Sequence, residues 1–120
     1  MPDQPRDLVK RTFDFAAAVR QFVNRLPNSV SNFLDSKQLV RSSGSVAANY
    51  LEAQEGLSRK DFFYRIKVCR KEARESGLWL RLINVGQLDG LLAEREKLAT
   101  EAEELKRIFS AIAGKDDTAE

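Results

Sequence analysis

Apolar side chains recur at intervals of three and four residues along most of the chain, the spacing that places them on one face of an α-helix. Four stretches have this period, at about residues 5–26, 29–55, 59–83 and 89–113. Pro27, Gly56 and residues 84–87 interrupt them, as expected for short turns between helices. The pattern predicts an all-α fold, an antiparallel up-down four-helix bundle in residues 1–114, with a disordered tail in residues 115–120.

The second predicted helix differs from the other three because the stripe expected to be apolar is polar. It consists of Arg41, Ser42, Ser45, Asn49 and Glu52. We interpret it as a buried or half-buried structural network in which the cation and the anion compensate each other, because buried charge requires a partner. A solvated face is the alternative, and a catalytic group made of Arg41, Asn49 and Glu52 is a third interpretation.

The third predicted helix has more apolar surface than one core requires. Beside a core seam that runs from Phe62 to Ile83 lies a second row, made of Tyr64, Val68, Trp79 and Leu82. We interpret this second row as a subunit interface. The alternative is that Trp79 covers the core of a single chain.

Positive charge is concentrated in the same helix. Residues 56–85 carry 8 basic and 3 acidic groups, whereas the whole chain has a net charge of only +2. The basic side chains of its remaining face are Lys60, Lys67, Arg70, Lys71, Arg74 and Arg81. One interpretation of this row is a face exposed to solvent. Because like charges at helical spacing destabilise a helix slightly, the competing interpretation is that the row binds RNA or another anionic partner.

The composition excludes several kinds of chemistry. The chain has no histidine, which removes the commonest general base and the Glu-x-x-His ligand sets of di-iron bundles. A metal site would need carboxylates alone, and Arg41 would neutralise one of Glu52, Glu72 and Glu75, so we predict no metal and no cofactor. The single cysteine, Cys69, falls in the core seam of the third helix, where we expect it to pack rather than react. We therefore predict a protein that is not an enzyme.

The cysteine content and the hydropathy also bear on location. One cysteine allows no internal disulfide, which agrees with a reducing compartment. No run approaches the roughly 18 apolar residues of a membrane span, and the N-terminal residues have no apolar core of a secretory signal. We expect a soluble, cytoplasmic protein that does not contact membranes.

Three segments of the chain resemble the bacterial 23S rRNA intervening-sequence protein family, also called the four-helix-bundle protein family. They are residues 41–53 (RSSGSVAANYLEA), 58–62 (SRKDF) and 71–83 (KEARESGLWLRLI). The resemblance implies a left-handed antiparallel bundle that assembles as a homopentameric ring or barrel. Related accessory proteins of diversity-generating retroelements are strongly basic and bind nucleic acid, and this chain differs from them in its small net charge.

Two hypotheses of function follow. The first is a non-enzymatic oligomeric binding module, a pentamer by resemblance, that contacts RNA or another nucleic acid through the basic face of the third helix. The second is a structural scaffold or adaptor that binds a protein partner through the apolar flank of that helix. Nucleic-acid binding would weaken steeply with salt, whereas apolar docking would not.

Overall fold

A computed structural model describes residues 7–118 of the chain, and within that range all regular structure is helical. The helices are α1 (Leu8–Val23), α2 (Val30–Glu55), α3 (Arg59–Leu82) and α4 (Leu91–Ala113). Their observed ends lie within three residues of the predicted ones. The predicted start of the first helix, near residue 5, lies outside the described residues. Helix α1 ends at Val23 rather than at residue 26, because Arg25 and Leu26 form tighter i→i−3 backbone hydrogen bonds.

The helices pack in a closed square in which α1 contacts α2 and α4, and α3 contacts the same two helices. Side-chain contacts show that neighbours run antiparallel. Arg11, near the start of α1, pairs with Glu101 at the middle of α4, whereas Arg25, just beyond the end of α1, pairs with Glu94 near the start of α4. The result is an elongated bundle of 48 × 29 × 20 Å.

Helix ends and turns follow local sequence signals. Ser29 and Ser58 cap α2 and α3 by accepting hydrogen bonds from the backbone N–H groups of Asn32 (3.1 Å) and Asp61 (3.0 Å). Gly56 ends α2 in the left-handed conformation, at φ 56°. At the end of α3, Arg95 of α4 donates a 2.8 Å hydrogen bond from Nη1 to the Ile83 carbonyl. Arg95 thereby satisfies a backbone carbonyl at the end of α3 that has no partner within the helix.

The core consists of the apolar faces of all four helices. Its largest fully buried side chains are Phe22, Phe109, Leu39, Ile66, Leu80, Ile83, Leu91 and Leu105. On α3 the buried aromatic residue is Phe63, whereas Phe62, the predicted start of the core seam, is only partly buried. The predicted period was therefore correct and its register at the first turn was wrong by one residue.

Residues 115–118 correct another prediction, since they were expected to belong to a disordered tail. The structure places them against α3, where Asp116 and Asp117 form ion pairs with Lys67 and Arg59. Electrostatic attraction to the basic helix explains this position, which an analysis of apolar periodicity overlooks. Residues 119 and 120 of the predicted tail lie outside the described residues.

Candidate functional site

Four of the six predicted basic residues of α3 come together at a groove between α3 and α4. The groove has a volume of about 540 Å³ and is lined by Lys67, Arg70, Lys71, Arg74, Lys106 and Ser110. Successive residues of these four lie one helical turn or less apart, and all four side chains project from one side of the helix. The groove therefore concentrates five cationic side chains and one hydroxyl group, a set that suits an anionic ligand.

The charges in this groove are only partly compensated. Lys67 pairs with Asp116 at 2.7 Å, and Lys106 pairs with Glu103 at 3.1 Å, which holds the pKa of the Glu103 carboxyl below its usual value. Arg70 and Arg74 form no ion pair with any residue in the range 7–118. A guanidinium group presents a planar fork of donors that matches phosphate oxygens. These two arginines are therefore the strongest candidates for direct ligand contact.

Lys60 and Arg81, the two ends of the predicted basic row, do not line the groove. Lys60 is exposed in the first turn of α3. Arg81 is exposed in the last turn of α3, and its Nη1 atom is 3.5 Å from where a Cβ on Gly77 would sit. The row of six thus divides into a central group of four and two outlying residues.

The sequence interpretation missed the contribution of α4 to the groove. It considered positive charge on the third helix alone, although the fourth helix also carries Lys106, with Ser110 four residues further on. The sequence does show that Lys106 and Ser110 are four residues apart, a spacing that places both on one face of α4. Recognising it required knowing that this face borders α3.

The predicted polar stripe of α2 does not form one network. Arg41 and Glu52 are both exposed, and Arg41 forms ion pairs with Glu72 (3.3 Å) and Glu75 (3.4 Å) of α3 instead. Eleven residues along a helix correspond to about 16 Å, so Arg41 and Glu52 share a stripe but are too far apart to touch. The predicted compensation of Arg41 by Glu52 is therefore wrong. From the sequence, we considered pairing of Arg41 with Glu72 or Glu75 only as an argument against a metal site.

The remaining residues of the stripe form two separate groups. Ser42 is fully buried, and its Oγ lies 2.7 Å from the equally buried Ser76 Oγ on α3. About two turns further along α2, Asn49 donates from Nδ2 to the backbone carbonyl and Oγ of Ser45, both at 3.0 Å, and its Oδ1 accepts a 3.0 Å hydrogen bond from Arg65 of α3. Both groups join α2 to α3, so their role is structural.

The buried face of α2 is adjacent to the predicted stripe and shares only Ser42 with it. It consists of Asn32, Leu39, Ser42, Ser43, Val46 and Ala53. Small residues on this face allow close packing, and Arg20 of α1 reaches across it to donate to the Val40 carbonyl (3.3 Å). The same guanidinium lies 3.1 Å from where a Cβ on Gly44 would sit. The glycine thus accommodates a side chain of α1.

The four predicted interface residues differ in their exposure. Tyr64 and Leu82 are 59% and 56% exposed, whereas Val68 and Trp79 are half-buried. Trp79 packs against the core of its own chain, as the alternative interpretation expected. A subunit interface along this row stays a prediction.

Within the described part of the chain, the single cysteine is buried, and the structure has neither a group of three metal-binding side chains nor a helix suited to crossing a membrane. Cys69 is fully buried, donates from Sγ to the Val46 carbonyl at 3.5 Å, and burial raises its pKa to about 12. Within residues 7–118, no three histidine, cysteine, aspartate or glutamate side chains are grouped so that they could hold a metal ion. The same range contains no helix with the length and apolarity that crossing a membrane requires.

The fold and the groove define an all-helical protein of four antiparallel helices with a cationic surface between α3 and α4. The chain belongs to the 23S rRNA-intervening sequence protein family, whose model matches residues 6–111. It is also similar to a solved structure from Bacteroides thetaiotaomicron VPI-5482, described as a protein with unknown function from the S23 ribosomal protein family. That similarity has a TM-score of 0.75 and 28% sequence identity, and covers 88% of this chain and 97% of the other. Neither description names a catalytic activity, and no curated protein matches the chain.

Proposed function

We propose that this protein is a non-enzymatic binding module that holds the phosphate backbone of RNA in the groove between α3 and α4. The observation that carries the proposal is the position of Arg70 and Arg74, two arginines that line the groove without an ion-pair partner among residues 7–118. Unpaired guanidinium groups in a concave surface attract phosphates and bind them through two parallel hydrogen bonds. The name of the family, which refers to sequences within 23S rRNA, is consistent with RNA as the anion.

The test is a titration of a fluorescent, structured RNA hairpin, with binding measured by anisotropy at several salt concentrations. The double variant Arg70→Gln, Arg74→Gln removes two groove cations, and we expect it to bind more weakly. Its plot of log affinity against log salt should be shallower by about 1 for each phosphate that the variant no longer neutralises.

A matched control separates the groove from the total charge. Lys37 and Lys97 are exposed and form no ion pair within the described range, and the double variant Lys37→Gln, Lys97→Gln changes the net charge by the same amount. The proposal requires the groove variant to lose much more affinity than this control. Equal losses in the two variants would show that RNA responds only to total charge, and would refute the groove as the site.

Self-association is the second part of the proposal. The resemblance implies a pentameric ring, and three apolar side chains of α3, Tyr64, Leu78 and Leu82, are 42–59% exposed in the single chain. Burying such side chains against another subunit would remove apolar surface from water. Light scattering measures the particle mass directly, and a mass of 13.6 kDa, that of one chain, would contradict this part.

The exposure of these same side chains also supports the alternative function, a scaffold that binds a protein partner. Leu82→Glu distinguishes it best, since Leu82 is 56% exposed whereas Trp79 packs on the core of its own chain. For an RNA-binding module, this variant should change the particle mass and leave RNA binding by the groove intact. A protein partner that binds the natural chain and is lost in Leu82→Glu, with no RNA affinity in any of these proteins, would favour the scaffold.

A further inference from the structure

The segment that follows α4 turns back over the basic side of α3. Asp116 Oδ2 accepts a 2.7 Å hydrogen bond from Lys67 Nζ, and Asp117 Oδ1 accepts one of the same length from Arg59 Nε. The two pairs connect the end of the described chain to sites eight residues apart on α3, or about 12 Å along its axis. The segment 115–118 therefore lies against the first half of α3, with Asp116 at the edge of the groove and Asp117 further from it.

The side chain of Asp116 is held more firmly than an ordinary surface carboxylate. It is only 7% exposed, compared with 66% for Asp117. Besides Lys67, it accepts hydrogen bonds from the backbone N–H (2.8 Å) and the hydroxyl group (2.5 Å) of Thr118. These contacts hold its pKa well below the usual value of about 3.9, so the carboxylate is ionised at neutral pH.

An ammonium, a backbone N–H and a hydroxyl group are also donors that commonly bind a phosphate oxygen. One of them, Lys67, is a lining residue of the groove. The Asp116 carboxylate thus pairs with Lys67, a cation of the groove, as a backbone phosphate would. Arg70 and Arg74 have no ion-pair partner within residues 7–118.

We propose that the acidic segment Lys115–Thr118 is an autoinhibitory strap, which competes with nucleic-acid phosphates for the basic side of α3. This inference rests on the proposed function, because it assumes that the groove binds a phosphate backbone. An incoming strand competes with Asp116 for the ammonium group of Lys67. The strap then lowers affinity for RNA in general and favours ligands with enough phosphates to displace it.

The experiment measures RNA affinity with and without the two carboxylates of the strap. The variant Asp116→Asn, Asp117→Asn keeps the size of both side chains and removes their charge. The control Asp35→Asn, Asp89→Asn makes the same change in net charge at the opposite end of the bundle, with two carboxylates that have no ion pair in the described chain. All three proteins are titrated with the same RNA hairpin at about 50 mM salt, where electrostatic effects are large.

We expect the strap variant to bind RNA at least about threefold more tightly than the natural chain, with the control variant showing a smaller gain. The backbone N–H of Thr118 provides a second readout, because in the strap it donates to Asp116. Its heteronuclear NOE should indicate order in the free protein and fall when RNA is added.

The possible failures are distinguishable. Equal affinities of the strap and control variants, with clear binding by the natural chain, would overturn the strap and leave the groove standing. A Thr118 amide that is mobile before RNA is added would overturn the strap as well. Absence of RNA binding in all three proteins would instead refute the proposed function, and the strap with it.

Discussion

The buried serine pair between α2 and α3 gives the sharpest test of how these two helices are held together. Ser42 and Ser76 are both 0% exposed, and their hydroxyl oxygens are 2.7 Å apart. The Ser42 hydroxyl oxygen also lies 3.3 Å from the Leu39 carbonyl oxygen, which can accept a hydrogen bond from it. The arrangement that satisfies both hydroxyl groups is donation from Ser76 to Ser42 and from Ser42 to Leu39.

This arrangement makes the two single substitutions unequal. Ser42→Ala removes the acceptor of Ser76 and strands a buried donor, which costs about 1–3 kcal/mol, less roughly 0.5 kcal/mol gained in helix propensity. Ser76→Ala loses one hydrogen bond of about 0.5–1.5 kcal/mol, with the same gain, because Ser42 keeps the Leu39 carbonyl. We expect destabilisation of about 1–2 kcal/mol for the first variant and of less than about 1 kcal/mol for the second.

The double variant Ser42→Ala, Ser76→Ala strands no donor, so we expect its free energy of unfolding to lie within about 0.5 kcal/mol of that of the natural chain. Urea unfolding followed by circular dichroism at 222 nm, with all four proteins at equal concentration, measures the three differences. A double variant that loses the sum of the two single effects would show that the hydroxyl groups do not depend on each other. A larger loss for Ser76→Ala than for Ser42→Ala would contradict the donor assignment.

Three further predictions concern other parts of the fold. Asn32→Ala should lower the free energy of unfolding by about 2–3 kcal/mol, because the buried amide donates to the Pro27 and Asn84 carbonyls, and urea titration measures the loss. Gly44→Ala should be neutral or stabilising by up to about 1 kcal/mol, because helix propensity improves and the Arg20 guanidinium at 3.1 Å is the flexible end of a side chain; a lower thermal midpoint would contradict this. Cys69 should react with a thiol reagent at pH 8 far more slowly than in urea-unfolded protein, because burial raises its pKa to about 12, and fast labelling of the folded chain would disagree.

Helix number and helix ends were predictable because their signals are local. Ser58, Gly56 and the turn beyond Ile83 act within a few residues of the helix ends that they define. The orientation of α2 about its axis was not predictable in the same way. Its buried face contains Ser42 and Ser43, so hydrophobicity does not distinguish that face from the adjacent one, and only the packing partner decides between them.

The candidate site was predictable on one helix only. The charge count identified α3 as the basic element, and four of the six residues predicted for its basic face do line the groove. Their partners belong to other elements: Lys106 approaches from α4, and Asp116 approaches from the segment after it. Neither contact has a signal in the sequence of α3, because each depends on how distant parts of the chain pack.

The polar contacts between α2 and α3 also explain why the groove on the other side of α3 is positive. Helix α3 carries the acidic residues Glu72 and Glu75 within the stretch that supplies its groove cations, and Glu75 lies four residues after Lys71, a spacing at which the two could pair. Arg41 of α2 holds both carboxylates at 3.3–3.4 Å on the side that faces α2, and only a 3.9 Å contact joins Glu72 to Lys71. Negative charge is thereby kept on the side of α3 that faces α2. Arg70 and Arg74, which have no acidic residue three or four positions away, stay available on the other side.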